Sequence, residues 1–141
     1  MGKPIDFIHA PVPGLNDSLG AQIDGFLRRM KPGVSWLREN WGLSRWPDLN
    51  QHPARGLRRL DGGVSLAEVW LRVEYQALVA LPESQGVLFG IRVAAHPLAA
   101  VKADATAAAG LARALRTMPD AMAAYKGLAS SRERIVQLLE E

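Results

Sequence analysis

The clearest pattern in the chain is an alternation that begins at Glu68. Val69, Leu71, Val73, Tyr75, Ala77, Val79 and Leu81 take odd positions, while Glu68, Arg72, Glu74 and Gln76 take even ones. That is the period-two signature of a half-buried strand. Pro82 to Gly86 supplies turn residues, after which Val87, Phe89, Ile91 and Val93 resume the odd-numbered apolar set. The pattern predicts an antiparallel hairpin over residues 68–94. A turn centred on Ser84 sets Tyr75 opposite Val93 and Gln76 opposite Arg92, with Glu74 diagonal to Arg92 on one polar face.

Helical spacing dominates on both sides. Leu19, Ile23, Phe26, Leu27 and Met30 form a stripe that Asn16, Asp17 or Ser18 can cap and Lys31-Pro32-Gly33 stops. After His96-Pro97 comes an alanine-rich stripe through Leu98, Val101, Ala108, Leu111 and Leu115, which predicts one helix over about 97–117. That helix is expected to cover the Val69, Leu71, Val73, Ile91 and Val93 face. Pro119 opens a further helix that Gly127 closes in a left-handed conformation, with Lys126 at its negative end. Ser130 with Glu133 reads as a capping box for the last helix. Pro11 and Pro13 predict an extended stretch over residues 5–13. Residues 34–67, with Trp36, Trp41 and Trp46, show no clean period and read as turn-rich, irregular chain carrying the basic cluster Arg55, Arg58 and Arg59.

These elements define an α+β chain: a partial antiparallel sheet, essentially one long hairpin, packed with C-terminal helices. Residues 1–141 are expected to form a single domain. Within it, 1–63 hold the extended segment, first helix and tryptophan-rich loop, 64–96 the hairpin, and 97–141 the helices. A lone hairpin leaves two open edges. The third strand is therefore expected from residues 5–12, from a second copy or from another polypeptide, and a homodimer is the expected assembly.

Composition narrows the chemistry. With 141 residues the chain is long enough for one core and short for two. It holds no cysteine, which removes disulfides, thiolate nucleophiles and cysteine-held metals or clusters. No apolar run reaches membrane-spanning length and the start lacks the pattern of a secretory leader. No membrane partner and a cytoplasmic location are expected. Seventeen basic against fourteen acidic residues give a mixed-sign surplus of +3, too weak a signal to predict nucleic-acid binding. Phosphate-loop, HExxH, nucleophile-elbow and dinucleotide patterns do not occur.

The candidate chemistry lies in His9, His52 and His96 and in the polar strand face of Arg72, Glu74, Gln76 and Arg92. If buried, those charges must pair. Arginine there suits bidentate recognition of a carboxylate. His52 reads as exposed, and His96 as a helix-capping or surface group.

Four blocks carry a resemblance. IHAPVPG (8–14), RENW (38–41), LRVEYQALVALPESQGVLFGIR (71–92) and YKGL (125–128) resemble, in the same order, the C-terminal half of haem-dependent oxidative N-demethylase alpha subunits. The resemblance implies a PAS-like α/β core binding haem b, oxidation of an amine by dioxygen, and electrons from a flavin and iron–sulfur redox subunit. Haem needs an axial ligand, and His9, in the best-matched short block, is the candidate iron ligand, with Arg72, Glu74 and Arg92 of the polar strand face as candidate cofactor contacts. Where the family pattern has hydroxyl side chains, this chain has Gly90, Val93 and Ala94. The residues leave a catalytic haem protein and a noncatalytic assembly module both open.

Overall fold

The computed structural model describes residues 4–141. Three strands form one sheet in the order β1-β2-β3: β1 Ser35–Ser44, β2 Trp70–Ala80 and β3 Val87–Pro97. Among the described residues six α-helices accompany them: α1 Ile5–His9, α2 Leu15–Arg29, α3 Leu98–Ala103, α4 Ala105–Thr117, α5 Asp120–Tyr125 and α6 Arg132–Glu140. The chain divides into two compact units, residues 1–39 with 75–92 and residues 40–74 with 93–141.

The hairpin forms as the alternation predicts, but its register differs by one residue. The Leu81 N–H donates to the Gly86 carbonyl at 2.8 Å and the Leu98 N–H to the Val69 carbonyl at 2.8 Å. Both fix the same pairing, in which Tyr75 faces Arg92 and Gln76 faces Ile91. The cause is the turn: it centres between Glu83 and Ser84 rather than on Ser84, and Gln85 takes a left-handed φ of 53° to close it. A one-residue slip exchanges faces. Arg92 therefore leaves the Gln76 face, and its guanidinium sits 4.8 Å over the Tyr75 ring.

Three further expectations are corrected. Residues 5–9 are helical, not extended; Pro11 and Pro13 fall beyond the helix, where their missing N–H groups break no helical bond. The third strand comes from Ser35–Ser44, inside the stretch expected to be irregular. It runs antiparallel to β2, because Arg38 meets Gln76 and Asn40 meets Glu74. The sheet thus gains its third strand within the chain, and the hairpin's open edge no longer argues for a second copy. Third, the long helix is broken at Asp104, whose carboxylate accepts from the Thr106 and Ala107 N–H groups and starts α4 afresh.

The second unit holds the core. Val69, Leu98, Leu115, Leu128 and Ile135 are fully buried, and Leu71 and Trp41 pack against them. Small residues Ala108 and Ala112 let α4 lie close to its neighbours, and it packs on α6. Ile91, expected in this layer, is half exposed in the other unit because of the register. Gly127 ends α5 at φ 70°, as its position after the helix predicts. The capping box lies at Ser65 and Glu68 rather than at Ser130, since α6 begins after the buried Ser131.

In the first unit α2 buries no residue completely. Phe7, Ile8, Trp36, Leu37, Leu88 and Phe89 are all exposed by 46% or more.

Candidate functional site

The first unit contains an apolar groove of about 410 Å³. Helix α1 is tied to α2 where the Asn16 side-chain amide donates to the Asp6 carbonyl at 2.7 Å. The α2 stripe predicted from sequence presents Ile23, Phe26 and Leu27 to the groove, and the sheet presents Trp36, Leu78 and Phe89. Leu78 and Phe89 share that wall because the observed register makes them cross-strand partners. Phe26 meets Trp36 edge to face, with ring centroids 5.1 Å apart and planes at 80°, the arrangement aromatic quadrupoles favour.

Only two polar side chains line this groove, among the described residues: His9 and Arg38. His9 closes the last turn of α1 and is half buried. The Arg38 Nε donates to the Gln76 Oε1 at 2.6 Å. Gln76 is buried to 5% exposure, so this bond holds the guanidinium in one orientation. No carboxylate lines the groove.

The other residues singled out by sequence lie elsewhere. Arg72, in the second unit, donates to the Asp48 and Leu49 carbonyls at 2.7 and 3.0 Å and so anchors the loop after β1. Glu74 accepts from the Asn40 amide at 3.4 Å. Arg92 stacks on Tyr75. Neither these three nor His52 and His96 line the groove. His52 is exposed, as expected, and its Nδ1 accepts from the Ala54 N–H.

Sequence reading missed Arg45. Its side chain is 4% exposed and bridges Glu68 at 2.6 Å and Asp61 at 2.9 Å. The Arg45 hydrogen bond, with help from Ser65, holds the Glu68 carboxyl down at about 2, well below its ordinary 4.5. Asp61 is lowered as well, by the Gly63 N–H first and then by Arg45. Nothing in the local pattern SRW marks this arginine as buried; its partners lie 16 and 23 residues away.

Among the described residues no three His, Cys, Asp or Glu side chains gather into a metal site. A haem iron makes a different demand. Its macrocycle supplies the equatorial nitrogens and the protein supplies axial ligation, an apolar wall and counter-charge for the propionates. The groove's donor set of one imidazole and one guanidinium among aromatic side chains fits that demand. Its volume lies within the range of about 300–1,000 Å³ usual for cofactor sites.

An open three-stranded antiparallel sheet with C-terminal helices defines an α+β protein of PAS-like arrangement. Within that class, the chain belongs to the haem-dependent oxidative N-demethylase, alpha subunit-like family, which it matches over residues 1–136. No helix among the described residues is long and apolar enough to cross a membrane.

Proposed function

We propose that the first unit's groove binds haem b, with His9 as the axial ligand and Arg38 as the partner of a propionate. The observation that carries this reading is the groove itself: an apolar cavity of about 410 Å³ in which the only polar side chains, among those described, are one imidazole and one guanidinium. Haem supplies, when bound, a redox-active iron able to bind dioxygen. The chain's own residues do the rest. Phe26, Trp36 and Phe89 would supply the apolar wall against which the group would rest. Gln76 fixes Arg38 so that its remaining N–H groups are pre-oriented toward a carboxylate. Amine oxidation, if the haem protein is an enzyme, further requires the flavin and iron–sulfur redox partner that the family resemblance suggests.

Titration with haemin tests the reading. A saturable Soret band at one haem per chain supports it. A flat titration rejects haem binding by this chain.

A second reading rests on a separate observation. Leu37 is 78% exposed and Phe7 and Leu88 more than half exposed. Leu37 borders the groove while the other two lie outside it. Exposed apolar side chains of this kind are what an interaction surface would use, and the proposed partner is a second copy of the chain. A homodimer that persists while the haemin titration stays flat makes this a noncatalytic assembly module.

A further inference from the structure

The second unit carries a cleft of about 310 Å³ whose charge is unbalanced. Gly42 to Arg45 at the end of β1, the loop residues near Arg59, Arg72 of β2, and Lys126-Gly127 after α5 surround it. Five cations line it: Arg45, Arg58, Arg59, Arg72 and Lys126. Among the described residues no carboxylate does. Two of the five are neutralised from behind, since Arg45 is paired with Glu68 and Asp61, and Arg58 with Asp61.

The other three keep their charge. Arg72 is held by two backbone carbonyls, of Asp48 and Leu49. The Lys126 Nζ is held by the Trp41 carbonyl at 2.6 Å, with the Asn40 Oδ1 at 3.5 Å and the Trp41 ring centroid at 5.2 Å. Carbonyl dipoles fix a cation's position without cancelling its net charge. The Arg59 guanidinium has no ion pair or hydrogen bond among the described residues and lies beside Gly127, 3.8 Å from where a Cβ would stand. A Cβ at 127 would stand at ordinary contact distance from it, but any residue other than glycine would be strained there at φ 70°.

We propose that this cleft is an anion site for a phosphate group, free or as the monoester of a small organic body. The Arg59 fork, the remaining N–H groups and charge of Arg72 and one compact ammonium line one space, a mix that recognises an oxyanion by both geometry and charge. The cavity exceeds what a single phosphate fills, which leaves room for an attached body. Burial already pushes the Lys126 ammonium below its ordinary pKa, and Glu74 only partly restores it; an anion in the cleft completes that compensation. The site shares no residue with the haem groove and stands independently of that reading.

The test is an amide-shift titration of the folded chain at fixed ionic strength with ribose 5-phosphate, inorganic phosphate, ribose and sodium chloride. Ribose 5-phosphate is expected to shift Gly42, Arg59 and Gly127 saturably, and ribose and chloride are expected to leave them unmoved. Inorganic phosphate binding as tightly as the ester supports the site with free phosphate as its ligand; weaker binding supports the ester. Arg59→Gln, an exposed position that keeps the fold, should weaken binding by about tenfold, the loss expected for one charge-assisted contact. No saturable shift, or equal affinity in Arg59→Gln, overturns the proposal. So does a short DNA duplex binding far more tightly than either phosphate compound.

Discussion

The Arg45 Nη2 lies 2.6 Å from the Glu68 Oε1, and the same guanidinium reaches the Asp61 carboxylate at 2.9 Å and the Arg59 carbonyl at 3.2 Å. One buried cation therefore gathers the loop after β1, the residues before β2 and the chain between them. A charge removed from water in this way depends on all its partners.

Acid should expose that dependence. Because Glu68 titrates at about 2 in the folded chain against 4.5 ordinarily, its contribution to stability is fully present above pH 4.5. It falls as pH drops from there and is gone below about 2. Urea midpoints measured between pH 7 and pH 2 should fall through this window. Glu68→Gln should flatten the fall, and an identical pH profile in that variant would contradict the linkage.

Removing the cation should cost more than removing an exposed one. Arg45→Ala leaves Glu68 without its ion pair and Asp61 with Arg58 alone. Arg28→Ala breaks only an exposed i,i+4 pair with Asp24, a kind that contributes little to stability. Thermal unfolding should show a clear drop in Tm for Arg45→Ala and almost none for Arg28→Ala.

The register makes a sharp prediction of its own. With the Leu81–Gly86 and Val69–Leu98 bonds as fixed points, Leu78 and Phe89 form a non-hydrogen-bonded pair whose α-carbons lie about 4.5 Å apart. Their α-protons should give a strong cross-strand NOE, as should those of Gln76 and Ile91. A strong NOE between Gln76 and Arg92 α-protons would restore the alternative register.

The two units should differ in protection. Leu98, Leu115 and Ile135 are completely buried, whereas neither α1 nor α2 contains a buried residue. Amides of α4 and α6 should exchange near the global unfolding limit, and those of α1 and α2 much faster. Leu115→Ala should cost about 2–5 kcal/mol, and Leu19→Ala, at a site 47% exposed, far less.

These contrasts explain what the sequence made legible. β2 and β3 were readable because apolar residues keep the odd positions from Val69 to Leu81 and again from Val87 to Val93, and α4 because its apolar residues keep helical spacing. β1 was not. Its burial runs from fully exposed at Ser35 to buried at Leu43 and Ser44, so Trp36, Arg38 and Trp41 show no single inside face. Parity along one strand also cannot reveal where a turn centres, which is why Arg92 was set on the wrong side. His9 was readable as a candidate from its block, but its groove was not, because α1, α2 and three separate strand segments build it. Arg45 was hidden for the same reason: its partners are distant in sequence.

The central claim is that the first unit's groove takes haem through His9. The most direct measurement compares haemin titrations of the native chain, His9→Ala and His52→Ala by their Soret bands. The account predicts a sharp saturable band in the native chain, the same band in His52→Ala, and a shifted or weakened band in His9→Ala. A native titration with no saturable spectral change would contradict the haem site, and a His9→Ala band identical to the native one would remove His9 as its ligand.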